Sequence, residues 1–258
     1  MRWSFLVTPL LFISGQLAAG QDTYLYHRSA FSPEGDLQLD YVAAYGSREA
    51  RPLGDQGIEQ GVRAFYQAGD RVAVEVGTGA LLGRDDSLPV SAYAEVHLGV
   101  LDQRKGLPLS LTTGLGYIYD YRGDHIPRLR LTLQRDQGPV DLNLSTLLEK
   151  PLADDRDELD IIVSLAGSVG IGEKVRVGGE IVGQDLEGFW EDEEAEGGAK
   201  LLAGPTARLE LPNNFHLKAN AAAVIPASNN FPTVVDESGA TVANDPGVLA
   251  RMMLGYTF

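Results

Sequence analysis

Cysteine is absent from the 258 residues of this chain. Its absence excludes a disulfide framework, a thiol nucleophile, a cysteine-based zinc site and a lipid anchor on an N-terminal cysteine. Positive charge is scarce as well, since 21 Lys and Arg stand against 36 Asp and Glu, for a formal net charge of −15. Nucleic acid is therefore not expected as a partner, because phosphate binding requires basic patches.

Long apolar runs are also missing after residue 20, so no membrane-spanning helix is expected. The first 20 residues have the order of a secretory signal peptide: a basic Arg2, a short apolar centre interrupted by Pro9 and Gln16, and small residues at 18–20. Removal before Gln21 leaves 20 Lys and Arg against 36 Asp and Glu, a formal charge of −16. An exported chain of this size without disulfides needs a large closed structure for its stability.

Helical spacing of apolar residues is rare, whereas strict alternation runs through the chain. In RVAVEVGTGALLG, for example, Val72, Val74 and Val76 share one face while Ala73 and Glu75 share the other. The same pattern predicts about twelve strands between residues 37 and 258. Many contain ten or more residues, which matches the roughly 9–11 of a tilted membrane strand better than the roughly 5–6 of an average soluble strand.

The connections between these strands alternate in length. Tight turns (AGD, DQRKG, RDQGP, GEK, PNN) are interleaved with longer loops, among them GSREARPLGDQG, RGDHI and the stretch 227–247. Outer-membrane barrels have short turns at one end and long loops at the other, and a closed barrel satisfies every backbone polar group in lipid. The sequence therefore predicts an all-β fold, a closed antiparallel transmembrane β-barrel of about 12 strands with both termini periplasmic. A soluble β-sandwich, which also alternates, is the competing fold.

The predicted organisation is a signal peptide at 1–20, a short periplasmic lead at 21–36 that is too small for a plug domain, and a barrel at 37–258. Two places fit the pattern poorly. Residues 58–67 can be read in either phase, and Pro205 falls on an outward position, where its missing N–H suggests a bulge or a shifted register.

Aromatic residues are expected in two outward belts at the lipid–water interfaces: Tyr117, Tyr119 and Tyr121 at the loop end, and Phe215, Tyr256 and Phe258 at the turn end. The final residues RMMLGYTF resemble the C-terminal signal of bacterial outer-membrane β-barrels. Arg251, Tyr256 and Phe258 match its polar residue and two aromatics, and Met253 stands where glycine is usual. The resemblance implies insertion into the outer membrane of a Gram-negative cell, with membrane lipid and the barrel assembly machinery as partners.

If apolar residues face lipid, the alternate positions line the interior. The predicted pore-lining residues are Glu75, Glu95, Asp120, Arg128, Arg130, Asp141, Arg176, Glu180, Lys200, Arg208, Lys218 and Arg251. Both signs are present, so the interior is nearly neutral and the net negative charge lies mostly in the loops, above all in the acidic segment 185–197. Inward glycines, such as those at 77, 79, 99, 114 and 116, are expected to leave room for water.

These features predict a narrow passive channel for small polar solutes, with weak selectivity. Barrels of about eight strands are filled and those of about 16–18 enclose a channel, so twelve strands leave the interior undecided. A plugged structural barrel is the first alternative. A surface-binding barrel, with Phe189 and Trp190 in its acidic outer loop, is the second. No cofactor or metal site is predicted.

A hydrolase is the least favoured function. Asp85-Asp86 in one loop and Asp124-His125 in the next resemble the acid pair and Asp/His pair of the omptins, outer-membrane proteases that activate a water at the barrel rim. The residue spacing differs from that of the omptins, however, and adjacent acids are common in solvated loops. No catalytic residue is predicted.

Overall fold

The computed structural model describes residues 30–31, 36–47, 57–82, 88–152, 159–184, 186, 199–226 and 246–258. Within these ranges the chain forms a closed barrel of antiparallel strands, in which every strand pairs with its neighbours in sequence and the last pairs with the first. The predicted closed antiparallel barrel of about 12 strands is confirmed, and the periplasmic position of the termini stays a prediction. The strands are β1 Leu37–Gly46, β2 Gly57–Gly69, β3 Val72–Leu82, β4 Val90–Leu101, β5 Ser110–Tyr119, β6 His125–Gln137, β7 Val140–Glu149, β8 Asp160–Ile171, β9 Val175–Gln184, β10 Lys200–Glu210, β11 Phe215–Pro226 and β12 Gly247–Thr257.

Two faces alternate along each strand because successive side chains point to opposite sides of a sheet. In β7, Leu142 and Leu144 are exposed on the outer face while Asp141, Asn143 and Ser145 are buried inside. The outer surface is therefore a continuous aliphatic band, and polar side chains point into the enclosed space. Among the described residues, the helical structure is one short 3-10 helix, Gln103–Lys105, and no helix has the length and hydropathy that crossing a bilayer requires.

The connections separate into a turn end and a loop end, as predicted, with one exception. The turn-end connection 102–109, which contains the 3-10 helix, is longer than the loop-end connection 120–124. The helix is capped by Asp102, whose Oδ1 accepts the backbone N–H of Arg104 at 3.0 Å. It ends at Gly106, whose φ of 84° favours glycine.

The structure shows the arrangement of the two places that fit the alternation poorly, residues 58–67 and Pro205. In β2, Gly61, Arg63 and Phe65 point inward because they pair with Val42, Asp40 and Gln38 of β1. Pro205 does face outward, but the suggested bulge or register shift is wrong. The pairing of β10 with β9 keeps one register from Lys200 to Leu209. Register shifts occur elsewhere, between Gln67 and Gly69 and between Gly99 and Leu101.

The barrel closes between its two terminal strands. Nine residues of β1, from Gln38 to Gly46, pair with β12 from Thr257 back to Leu249. The backbone N–H of Phe258 adds a hydrogen bond of 2.9 Å to the carbonyl of Leu37. The described residues therefore include no unpaired strand edge, which is the condition for a sheet to exist in lipid.

Candidate functional site: the barrel interior

The interior contains all but one of the predicted pore-lining residues at inward strand positions. Asp120 is the exception, since it follows β5 and its Oδ1 accepts the backbone N–H groups of Arg122 (2.8 Å) and Asp124 (2.9 Å) in the loop-end turn. The inward residues are Glu75, Glu95, Arg128, Arg130, Asp141, Arg176, Glu180, Lys200, Arg208, Lys218 and Arg251. The sequence did not identify Glu59, which also points inward opposite Ala44.

An ionic network runs along the inner wall from β3 to β7. Arg130 binds Glu95 through two contacts, Nε to Oε1 at 2.7 Å and Nη2 to Oε2 at 3.1 Å. Arg128 lies between two acids, with Nη1 at 3.8 Å from Glu95 Oε2 and Nε at 3.5 Å from Glu149 Oε1. All four side chains are almost completely buried. Charged hydrogen bonds offset the cost of removing these groups from water.

His97 extends the network on the β3 side. Its Nε2 lies 3.5 Å from Glu75 Oε2 and its Nδ1 lies 3.7 Å from Glu95 Oε1. The hydroxyl of Tyr93 donates a 2.6 Å hydrogen bond to the other oxygen of Glu75. Within the described part of the chain, neither ring nitrogen of His97 has a hydrogen-bond partner, although the side chain is fully buried.

The inward glycines of β3 and β5 do not leave room for water, contrary to the expectation from sequence. A Cβ on Gly77 would lie 2.7 Å from Tyr93 Cζ, and one on Gly116 would lie 3.0 Å from Glu95 Cγ. The hydroxyl of Tyr121 covers Gly79 in the same way. The glycines therefore let long neighbouring side chains lie flat against the wall instead of projecting towards the barrel axis.

A basic row lies at the turn end on the opposite side of the barrel. Arg208 of β10 is paired in register with Arg176 of β9 and with Lys218 of β11. These three residues are called the basic row below. Like charges directly opposite one another are unfavourable in a sheet, and here Glu210 forms an ion pair with Arg208. The Arg208 and Glu210 side chains keep 18% and 32% of their surface exposed, so solvent reaches this part of the interior.

An apolar collar, which the sequence reading missed, lines the loop end of the interior from β7 to β12. It consists of Leu147, Ile162, Val182, Leu202, Ala222, Val224 and Leu249, all of them buried. A signal for it exists in the sequence, because six strands interrupt their alternation at the loop end with two consecutive apolar residues. These pairs are Leu147-Leu148, Ile161-Ile162, Ile181-Val182, Leu201-Leu202, Val224-Ile225 and Val248-Leu249.

Two residues of the predicted lead also lie inside the barrel. Ala30 is fully buried and forms an apolar cluster with Phe65 and Ala73. Its carbonyl accepts a 2.7 Å hydrogen bond from Gln67 Nε2, and its N–H lies 3.4 Å from Thr112 Oγ1. Phe31, the next residue, is 9% exposed. The lead is thus anchored to β2, β3 and β5 at the turn end.

On the outer surface, aromatic residues gather at both ends of the barrel. At the turn end, the rings of Phe215 and Tyr256 lie 4.9 Å apart and those of Tyr256 and Phe258 lie 4.7 Å apart. At the loop end, Tyr117 and Tyr119 are exposed. Placing Tyr121 in this outer belt was wrong, because its hydroxyl lies inside over Gly79.

Of the four residues considered for hydrolysis, the structure describes two, Asp124 and His125. His125 is exposed on the outer face, with its ring 5.8 Å from that of Tyr117 and 5.3 Å from that of Tyr119. Asp85 and Asp86 lie outside the described residues, as do the signal peptide and the loop residues Phe189 and Trp190. Among the described residues no cluster of three or more His, Asp or Glu could hold a metal ion.

Two carboxyl groups outside the strands have a perturbed pKa: burial raises the pKa of Asp36, and that of Asp102 is lowered. The hydrogen bond from the Arg104 side chain, opposed by burial, holds the pKa of Asp102 below its ordinary value. Arg104 contacts this carboxylate twice, Nε to Oδ1 at 3.0 Å and Nη2 to Oδ2 at 3.1 Å. The charged form of Asp102 therefore fixes the guanidinium at the turn-end mouth.

A closed barrel with an aliphatic outer band, aromatic residues at both rims and a charged interior has the architecture of an outer-membrane β-barrel protein. Solved porin structures have the same fold. A KdgM porin in complex with disordered oligogalacturonate aligns with a TM-score of 0.59 at 7% sequence identity, covering 86% of this chain and 99% of the porin. A NanC porin aligns with a TM-score of 0.58 at 9% identity, covering 84% and 98% of the two chains. No protein family and no curated protein matches the sequence.

Proposed function

We propose that this protein is a narrow passive channel for small polar solutes in the outer membrane of a Gram-negative cell. The observation that carries the proposal is that solvent reaches ionic side chains inside a closed barrel, at Arg208 and Glu210. Both residues lie at the turn-end mouth, and solvent at the mouth is what an open passage requires, whereas barrels of about eight strands are filled by their side chains. The porins that share the fold, one of them in complex with oligogalacturonate, support the same class of function.

The location in the outer membrane follows from the outer surface. Exposed aliphatic side chains such as Leu115, Leu165 and Ile181 surround the barrel. In water such a band is a severe aggregation liability, whereas in lipid it is the favourable surface. Arg251, Tyr256 and Phe258, which resemble the assembly signal, lie on β12 and at its end, and we expect the barrel assembly machinery to recognise them.

Selectivity of this channel is expected to be weak because both charge signs are present inside it. The basic row lies on β9 to β11, and on the opposite side of the twelve-stranded barrel Glu75 and Glu95 share the wall with Arg128 and Arg130. An interior in which neither sign dominates lets small ions of either sign pass. The apolar collar restricts the loop end, so the favoured solutes are small.

Conductance in a planar lipid bilayer tests the proposal. Purified protein, shown to be folded by its heat-modifiable mobility on a gel, should give discrete conductance steps. Arg208→Ala should lower the anion-to-cation permeability ratio, because it removes the central charge of the basic row. Lys174→Ala is the matched control, since Lys174 is an exposed cation in the turn beside β9 and should leave the ratio unchanged.

A plugged structural barrel is the second candidate, and the apolar collar and the buried ionic network favour it. The same experiment separates the two functions. Correctly folded protein that produces no conductance at any voltage would exclude the channel and leave the structural function.

A further inference from the structure

The ring of Phe31 packs against Gly99 on the inner wall of the barrel, and this position of the ring is called its seat below. A Cβ on Gly99 would lie 2.6 Å from Phe31 Cζ and 3.2 Å from Cδ1, so any other residue at position 99 would collide with the ring. Gly99 also lies at the register shift between β4 and β5. Glycine is thus required here by the close approach of the N-terminal segment.

The turn between β4 and β5 holds the same residue from the other side. Arg104 Nη1 donates a 3.0 Å hydrogen bond to the carbonyl of Phe31, and the guanidinium carbon lies 5.4 Å from the centre of the Phe31 ring. The contact combines a charged hydrogen bond with a cation–π interaction. Arg104 is itself fixed by Asp102, so Phe31 is held by the barrel wall, a side chain and a turn together.

Ala30 and Phe31 lie on the side of the turn-end mouth opposite the partly exposed residues Arg208 and Glu210. Their contacts are to Gln67, Ala73, Gly99 and Thr112, on β2 to β5. The basic row lies on β9 to β11, about half a turn around the barrel. At the turn end, Ala30 and Phe31 therefore occupy the side of the interior lined by β2 to β5 and leave the side lined by the basic row.

We propose that Ala30 and Phe31 form a built-in constriction of the turn-end mouth, which confines solutes to the passage along the basic row. The constriction rests on the proposed channel function. It assigns Ala30 and Phe31 a role in permeation, and it makes Gly99 and Arg104 the residues that set the width of the mouth.

Single-channel conductance of four variants tests the constriction. Phe31→Ala removes the ring, and Gly99→Ala displaces it by occupying its seat, so both should conduct roughly twofold more than the wild type. The double variant should conduct no more than either single one. Gly179→Ala is the control: it also adds a methyl group to a strand glycine, but on the exposed outer face, where its nearest neighbour, Gly204 O, is 3.5 Å away. It should conduct like the wild type.

A separate cross-linking experiment tests whether Ala30 and Phe31 lie against the inner wall of the barrel. The chain contains no cysteine, so in Ala30→Cys combined with Thr112→Cys, which leaves Phe31, Gly99 and Arg104 unchanged, a short bis-maleimide can join only these two positions; Ala30 N lies 3.4 Å from Thr112 Oγ1. Mass spectrometry should find the linked peptides in folded protein and not after denaturation. Failure of the link to form in folded protein would contradict the seat itself.

The outcomes separate the constriction from the channel. A conducting wild type whose conductance is unchanged by both Phe31→Ala and Gly99→Ala overturns the constriction and leaves the channel intact. Conductance that arises only in these two variants supports the constriction in its strongest form, a closed mouth. Folded protein that is silent in every variant overturns both proposals.

Discussion

Replacing Leu144 with lysine probes whether the aliphatic face of the barrel lies in lipid. Leu144 is near the middle of β7 and 41% exposed on the outer face. Its partners in register, Leu133 and Leu165, also face outward. A lysine here has no acid within reach on the outer face of either neighbouring strand. In a bilayer, a cation on the lipid face near the midplane costs about 2–4 kcal/mol.

That cost corresponds to a roughly 30- to 700-fold smaller folding equilibrium constant, at about 1.4 kcal/mol per tenfold. Leu144→Met is the control of similar size without a charge, and its cost should stay below about 1.5 kcal/mol. Guanidinium unfolding in phospholipid vesicles, followed by circular dichroism, measures both variants. A Leu144→Lys protein as stable as Leu144→Met would refute the assignment of this face to lipid, and with it the membrane barrel.

Three further predictions concern the ionic network, the turn and the chain end. Arg130→Met should lower the free energy of unfolding by about 3–5 kcal/mol, because it removes both hydrogen bonds from Arg130 to Glu95 while the Glu95 carboxylate stays buried. Adding Glu95→Gln should recover part of that loss in the same denaturation assay. Because the pKa of Asp102 is lowered, its ion pair contributes fully above the unfolded pKa of about 4 and is lost as the pH falls through its lower folded value. Loss of the pair releases Arg104, which holds Phe31, so Asp102→Asn should raise the conductance at neutral pH to the level expected of the wild type in acid. Equal conductance of the two proteins at neutral pH would contradict this. Phe258→Ala should reduce the folded barrel in the outer-membrane fraction more than Phe215→Ala, another outward aromatic at the same end; equal loss in both would indicate a general belt effect.

The fold could be predicted from the sequence because sidedness is local information. In β4, the alternation of Tyr93, Glu95 and His97 with aliphatic residues fixes which face is outside, and no distant contact changes it. The inward charges could be predicted for the same reason. Strand β2 was ambiguous because Phe65 is apolar yet points inward. Its place inside depends on Ala30, a contact between segments that periodicity cannot show.

The character of the interior was harder to predict because it depends on which strands lie opposite one another. The inward glycines suggested empty space, but Tyr93, Glu95 and Tyr121 lie over them. Likewise, nothing in the sequence around Gly99 or Phe31 shows that the two residues meet across a separation of dozens of residues. Such pairings follow from strand tilt and register, which only the folded barrel fixes.

The seam between β1 and β12 has a consequence for how the protein is made. Its hydrogen bonds join the first and last strands of the barrel, for example at Gln38 and Thr257, so the cylinder closes only when both of these strands are present. Before these two strands pair, each has an edge of unpaired backbone N–H and C=O groups, and such edges favour aggregation in water. Closure of the seam is therefore the step that converts a sheet with two open edges into a surface that is stable in lipid.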